Sequence, residues 1–311
     1  NGLFPTSSYG PSKKNEFTNY AVKGGVTYKI NGRNYVYARG GYLTRAPYFE
    51  SVYVSPRTRS TQQANVQSEE IQTVEAGYVL NSPRLKIRAS GYYTSFANGM
   101  DVISFYHDGY QNFVNYAISG IDKLHFGGEF GVEARVTTGL TINAAAAVGR
   151  YYYDSRQKAI ITADNTTALL GEQIVYAENY RVPSTPQEAY SLGATYRSKR
   201  FWFVSLTGNY FRESYLSFNP LRRTWEAVKY LDYKGAEYHR VIDQTEFDDQ
   251  FTLDFFGGWS IRLPKQYNIN RRPTYLVFNL GVNNILNNKD ITTGGYEQMR
   301  FDALTSSSEA Y

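Results

Sequence analysis

The chain is 311 residues long, has a formal charge of +5 and contains no cysteine. Disulfide frameworks and cysteine-ligated zinc are thereby excluded. Lys and Arg are scattered among Asp and Glu, which gives no indication of a nucleic-acid partner. The length admits one large β domain or two smaller ones. The 30 Tyr and 18 Phe suit strands and membrane interfaces. No run of about 18 apolar residues occurs, so no membrane-spanning helix is expected. A membrane barrel stays open, because only alternate residues of its strands meet lipid. Asn1-Gly2-Leu3-Phe4-Pro5 does not read as a secretory signal. That leaves a mature chain, a cytosolic one, or a piece of something longer.

In chain order, the first strand covers residues 18–30, with Tyr20, Val22, Gly24, Val26, Tyr28 and Ile30 on one face. Asn31-Gly32 is the strongest short hairpin signal. It leads to a second strand with Val36, Ala38, Gly40 and Tyr42 opposite Arg39. A loop over 45–67 precedes a hairpin of particularly clear pattern. There Val74, Ala76, Tyr78 and Leu80, then Leu85, Ile87, Ala89, Gly91 and Tyr93, share an apolar face, while Glu75, Lys86 and Arg88 lie opposite. A loop is expected over 96–111. Strand five runs over 128–136, and Thr137-Thr138-Gly139 turns the chain into strand six with Leu140, Ile142, Ala144, Ala146 and Val148. A long loop is expected over 154–184. Strand seven carries Tyr190, Leu192, Ala194 and Tyr196, and strand eight Trp202, Val204, Leu206, Gly208 and Tyr210, joined by Arg197-Ser198-Lys199-Arg200. A longer loop over 213–248 follows. Strand nine carries Phe251 to Ile261, residues 264–273 turn, and strand ten carries Leu276, Phe278, Leu280 and Val282. The tail from Asn287 is polar, and Tyr311 does not end a period-two run.

Short turns and long loops alternate along these ten strands, so one rim should hold all the short turns. The strand charges fall on the face opposite the apolar residues; a charge on a lipid face costs about 2–4 kcal/mol near the midplane. Aromatic pairs such as Trp202 and Tyr210 stand eight residues apart, about 20 Å of vertical height at ~3.3 Å per residue and a tilt of ~40°. The fold class expected is all-β: an antiparallel up-and-down transmembrane β-barrel, with a soluble sandwich or propeller as the alternative. The inward positions include many small residues, among them Gly77, Ser90, Thr94, Gly131, Ala145, Ala147, Gly149, Ser191, Gly193 and Gly281. Such residues cannot fill a narrow lumen but suit a wide one occupied by another domain. An open curved sheet is therefore expected, with strands one and ten as edges; their pairing to each other would mean a small closed barrel.

Three motifs carry a family resemblance. Thr44-Arg45-Ala46-Pro47 resembles the element that follows a barrel strand in TonB-dependent outer-membrane receptors. Ser68-Glu69-Glu70 followed by Val74-Glu75-Ala76-Gly77-Tyr78 resembles one of their strands, and Phe278 to Leu286 resembles a late-barrel strand. The order and spacing cover essentially the whole chain, and look most similar to receptors with a carboxypeptidase-regulatory-like N-terminal domain. The resemblance implies a plug domain and a 22-stranded barrel. Residues 1–311 would then be the C-terminal part of that barrel, without plug, TonB box or first half. It further implies location in the outer membrane of a Gram-negative bacterium and energy-coupled import of a scarce nutrient: siderophore, vitamin, glycan or peptide. The partners implied are the TonB complex, acting through the plug, the imported ligand, outer-membrane lipid and a surface lipoprotein. A passive porin, with an open lumen, is the alternative function, and a soluble all-β binding module a further one.

No enzyme is expected. His107, His125 and His239 have no ligand spacing, no Ser/His/Asp arrangement is recognisable, and no metal or cofactor is called for. Arg39, Glu75, Arg88, Glu129, Glu133 and Arg135 read as lumen-lining or plug-facing residues. Glu129 and Glu133, on one strand face beside Arg135, suit this better than acid catalysis. In the loops, Tyr106-His107-Asp108-Gly109-Tyr110, Tyr151-Tyr152-Tyr153 and Leu221-Arg222-Arg223-Thr224-Trp225 mix rings and charges. Rings stack on flat ligands and Arg pairs with carboxylates, so Tyr106, His107, Tyr110, Tyr152, Arg222, Arg223 and Trp225 are candidate ligand contacts. Packing in an aromatic girdle or in the loops themselves competes with that role.

Overall fold

The computed structural model describes residues 12, 14–55, 60–107, 110–163, 169–183, 185–269 and 272–291. The expectations that fall on Asn1 to Pro5, Pro56, Asp108, Gly109, Ser184 and the tail beyond 291, Tyr311 included, lie outside the described residues. The elements are β1 (Ala21–Lys29), β2 (Asn34–Arg45), α1 (Phe49–Val52), β3 (Glu69–Asn81), β4 (Leu85–His107), β5 (Asn112–Arg135), β6 (Leu140–Tyr153), β7 (Gln157–Ala163) and β8 (Leu169–Val175). They continue with β9 (Glu188–Arg197), β10 (Trp202–Arg212), β11 (Ser214–Tyr215), α2 (Trp225–Val228), α3 (Ala236–Ile242), β12 (Glu246–Phe247), β13 (Gln250–Arg262) and β14 (Tyr275–Val282).

The ten expected strands form one antiparallel sheet in the order β1-β2-β3-β4-β5-β6-β9-β10-β13-β14. Sequence neighbours are spatial neighbours, so the connections at Asn31-Gly32, 81–84, 137–139, 197–200 and 264–273 all lie on one rim. Local chemistry makes these turns tight. Asn31 Oδ1 accepts the backbone N–H groups of Arg33 at 2.9 Å and Asn34 at 3.0 Å. Thr137 Oγ1 does the same for Gly139 and Leu140. Among the described residues β1 and β14 do not pair with each other, and the sheet is open.

Register places the alternating residues of every strand on common faces. Tyr28, Val36, Tyr78, Ala89 and Phe130 follow one another across five strands. Val204, Gly257 and Leu280 do so across three more. This apolar face is uncovered: Val22 is 68 % exposed, Leu192 64 % and Leu280 62 %. A Val or Leu left in water forfeits about 1.5–3 kcal/mol, and such residues recur on strand after strand. Lipid is the medium that removes this cost.

The apolar band also has edges. Trp202 and Trp259 pair near the short-turn rim. Tyr190, Tyr210 and Phe251 align toward the other. Immediately beyond, the same face becomes charged: Arg212 pairs with Asp249 at 3.2 Å and Glu188 at 3.4 Å, and Arg150 pairs with Glu213 at 3.1 Å. Tyr210 Oη donates to Asp249 at 2.5 Å and Tyr190 Oη to Glu188 at 3.0 Å. These phenols hold apolar rings and charged partners at the same level, as in an interfacial girdle.

The long loops differ from expectation. Residues 96–107 are not loop: β4 continues to His107, and β5 begins at Asn112 rather than 128. The two strands rise past the band as one hairpin, with register slips around Gly99. Residues 154–184 contain a second hairpin, β7–β8, with β7 paired to the upper half of β5. The 45–67 loop contains α1 and a bridge from Tyr53 to Gln62. The 213–248 loop contains β11, β12, two short helices and a 3₁₀ turn over Pro220–Arg223. Phe105, Val114, Tyr116, Ile118, Ile161, Val175 and Leu221 form a buried cluster there. This cap has a core of its own because no lipid reaches it.

The contrast between faces predicts a specific outcome. Leu206→Lys places a charge on the lipid-facing side, at a cost of about 2–4 kcal/mol, and should impair assembly in heat-modifiable gel mobility. Glu133→Gln removes only the exposed ion pair with Lys86 at 2.9 Å, worth about 0–1 kcal/mol, and should assemble normally.

Candidate functional site: the charge-bearing face and its cap

The face opposite the apolar one is organised around Glu75. Gly77 of β3 has no side chain, and the ring of Tyr37 lies where its Cβ would be: an added Cβ would come within 2.6 Å of that ring. Laid across the glycine, Tyr37 donates its hydroxyl to Glu75 Oε1 at 2.5 Å. Arg39, directly opposite Glu75 in register, donates through Nε at 2.9 Å and again through Nη2. Arg88 approaches Glu75 at 3.7 Å and donates to Tyr37 Oη at 3.4 Å. The Glu75 carboxylate is mostly covered by its partners, while both arginines remain more than half exposed.

Beside this hub lies a trough of about 340 Å³. Its floor is Gly131, Ala145, Ala147 and Ser191; Arg88, Glu129, Asn209 and Phe211 wall it. Asn209 is fixed by Ser191 at 2.9 Å, Thr252 at 3.2 Å and Asp254 at 3.0 Å. All six lumen-facing residues read from the sequence lie on this face. Arg39, Glu75 and Arg88 are one network, Glu129 is at the trough, and Glu133 pairs with Lys86. Arg135 stands apart, level with Thr141 near the short-turn rim.

The loop candidates divide into three groups. Tyr106, His107 and Tyr110 gather at the tip of the β4–β5 hairpin: the rings of His107 and Tyr110 are 4.6 Å apart, and Tyr106 meets Phe113 edge-on at 5.6 Å. Tyr152 is not in a loop. It belongs to β6 and meets Phe126 edge-on at 6.3 Å on the apolar face, which makes it a girdle residue. In the third group, Arg223 is 3 % exposed and the nearby Trp225 is 61 % exposed. Arg223 Nε donates to Tyr180 Oη at 3.2 Å, Nη2 donates to the Asp243 carbonyl at 3.0 Å, and the guanidinium lies 5.1 Å from the Tyr180 ring centroid. Burial pulls its pKa below the usual arginine value, against the opposing pull of Tyr180 and Asp243. Arg223 is therefore a clamp inside the cap, and Arg222 is half-buried beside it. Asn219 Oδ1 accepts the Leu221 N–H at 2.9 Å and Thr224 Oγ1 donates to the Leu221 carbonyl at 2.9 Å. This rigid base presents Trp225 outward.

Sequence reasoning missed Tyr37, and read Gly77 only as a small inward residue; together they complete the Glu75 hub. Tyr37 at a position facing Gly77 was the available signal, a ring opposite a residue with no side chain. Among the described residues no group of His, Asp and Glu suits a metal ion.

An open antiparallel sheet with one lipid-facing side, one charged side and a loop cap at one end is the layout of an outer-membrane receptor barrel wall. The sequence matches the family described as TonB dependent receptor-like, beta-barrel, over residues 2–285. The chain belongs to that family, one of the Gram-negative outer membrane. Two of the motif elements meet in space, since Arg45 pairs with Glu69. The fold is similar to that of the ferric-catecholate import receptor Fiu from K12 E. coli, with TM-score 0.52 and 15 % identity, covering 86 % of this chain and 30 % of that one. It is also similar to the FrpB iron transporter of Neisseria meningitidis in its apoprotein form, with TM-score 0.53 and 14 % identity, covering 86 % of this chain and 35 % of that one. At these identities the likeness is one of fold, and the chain spans about a third of the length of either structure. No curated protein matches.

Removing the clamp tests the cap. Arg223→Ala removes the buried guanidinium with its hydrogen bonds to Tyr180 and the Asp243 carbonyl, a loss of about 1.5–3 kcal/mol within the cap. The variant should assemble in membranes yet be cut faster by trypsin within 213–248, whereas Trp225→Ala should match the wild type.

Proposed function

We propose that this chain is part of the wall of a plugged, energy-coupled receptor that imports a scarce nutrient across the outer membrane. The observation that carries this is the charge-bearing face. Its trough is floored by Gly131, Ala145, Ala147 and Ser191, and the arginines beside it keep more than half their side chains open. Side chains this small leave a space that a folded domain can occupy. Exposed Arg39, Arg88 and Glu129 offer that domain charged hydrogen bonds. The wall belongs to a 22-stranded barrel, of which residues 1–311 are the C-terminal part, with the plug and first half supplied by polypeptide outside them.

With a plug in the lumen, solute cannot pass by diffusion. Transport then draws on the inner-membrane TonB complex, acting through the plug. The imported ligand is a siderophore, vitamin, glycan or peptide, met first by the cap, where Tyr106, His107, Tyr110 and Trp225 are the contacts we assign. A surface lipoprotein that assists capture is compatible with an exposed cap. The uncovered apolar face disfavours a soluble binding module.

Conductance separates receptor from passive porin without knowledge of the substrate. The full-length protein reconstituted in planar bilayers should remain closed, and deletion of the segment preceding the barrel should produce large, stable openings. Steady openings of the intact protein would establish the porin instead.

A further inference from the structure

At the cap end of the charge-bearing face a separate cavity of about 230 Å³ lies between the sheet and the turn into α1. Arg45, Tyr48, Glu69, Asp101, Lys123 and Tyr153 supply its functional groups. A β-bulge shapes it. The β4–β5 register slips between Phe96 and Gly99 and again between Gly99 and Met100. Asn98 adopts φ 64°, and its N–H donates to Asp122 Oδ1 at 2.9 Å. A Cβ at Gly99 would stand 2.7 Å from the Ile121 carbonyl oxygen, so glycine is required there. Bulges of this kind re-aim side chains, and the residues of this one line the cavity.

The charges are unequally satisfied. Arg45 pairs with Glu69 and lies 5.4 Å from the Tyr48 ring centroid, which leaves that pair neutral. Lys123 Nζ is 5.7 Å from the Tyr153 ring centroid. The Asp101 carboxylate accepts the neighbouring Val102 N–H at 2.8 Å through Oδ1. Among the described residues, neither Lys123 nor Asp101 forms an ion pair. One cavity thus presents an ammonium and a carboxylate, each open to an opposite charge, with rings beside them. A ligand of a single charge would engage only one of the two, whereas a ligand that carries both can engage each.

We propose that this cavity binds the charged end groups of a zwitterionic ligand, an amino acid or short free peptide, with its ammonium on Asp101 and its carboxylate toward Lys123. Its volume lies below the ~300 Å³ at which drug-sized pockets begin, which suits one or two residues. The proposal rests on the receptor reading above and narrows its substrate class.

The probe is L-alanyl-L-alanine, compared with its N-acetyl and C-amide forms by saturation-transfer NMR on the full-length receptor in detergent. The free dipeptide should bind, and each capped form should bind about tenfold more weakly, as expected for loss of one charge-assisted contact. Asp101→Asn should weaken the dipeptide about tenfold and leave the N-acetyl form unchanged; Lys123→Gln should do the same with the amide form unchanged. Asp101→Glu, which keeps the charge, should retain binding, and heat-modifiable mobility establishes that each variant is folded. No dipeptide binding to the wild type, equal binding of the capped forms, or folded variants that bind like wild type would each overturn the proposal. Such a result with a closed channel in bilayers sinks the ligand assignment alone. An open channel sinks the receptor reading itself.

Discussion

A sheet immersed in lipid can hide neither an unpaired backbone amide nor a charge on its outer side. Most features of this chain follow from that constraint. Continuous antiparallel pairing from β1 to β14 satisfies the ladder between neighbours. Every charged side chain within the band is driven to the opposite face. There Glu75 gathers Tyr37, Arg39 and Arg88. Where lipid ends the rule ends, and Arg150, Glu188 and Arg212 appear on the outer side directly past the tyrosine level.

The same constraint divides the molecule into two mechanical parts. Inside the band the strands need no thick core, because lipid covers one side. Above it, β4, β5, β7 and β8 lack that cover and build a core around Tyr116 and Ile161. Arg223 ties the 213–248 loop into this core through Tyr180 and Asp243. Trp225 and Tyr110 are exposed beside this anchored core. The bulge at Asn98-Gly99 lies at the junction of the two parts and forms the cavity that opens on the charged face.

Much of this was legible in the sequence, because membrane strands write their two faces as a period of two. The ten sheet strands, the rim of short turns and the placing of six charged residues on the face opposite the apolar one were read from alternation and sidedness. The motif resemblance added the family. The cap was not legible for identifiable reasons. The stretch 96–107 was read as loop, so β4 seemed to stop twelve residues early; it continues through the bulge at Asn98-Gly99. The alternation of 157–163 and 169–175 is short and both of its faces are partly buried, which blurs the pattern. Arg223 looked like a ligand contact because sequence cannot distinguish a guanidinium aimed at solvent from one laid on Tyr180. Tyr152 looked like a loop residue because β6 runs on to Tyr153.

The central claim is that one face of this sheet meets lipid and the other does not. Nitroxide labels placed in turn at Leu192, Gly193, Leu206, Thr207, Leu280 and Gly281 of the full-length protein in bilayers test it directly. Power-saturation EPR should show high oxygen and low nickel-chelate collision at Leu192, Leu206 and Leu280, and low oxygen collision at Gly193, Thr207 and Gly281. Nickel-chelate access at Leu192, Leu206 and Leu280, or no alternation between the two sets, would contradict a membrane-spanning wall.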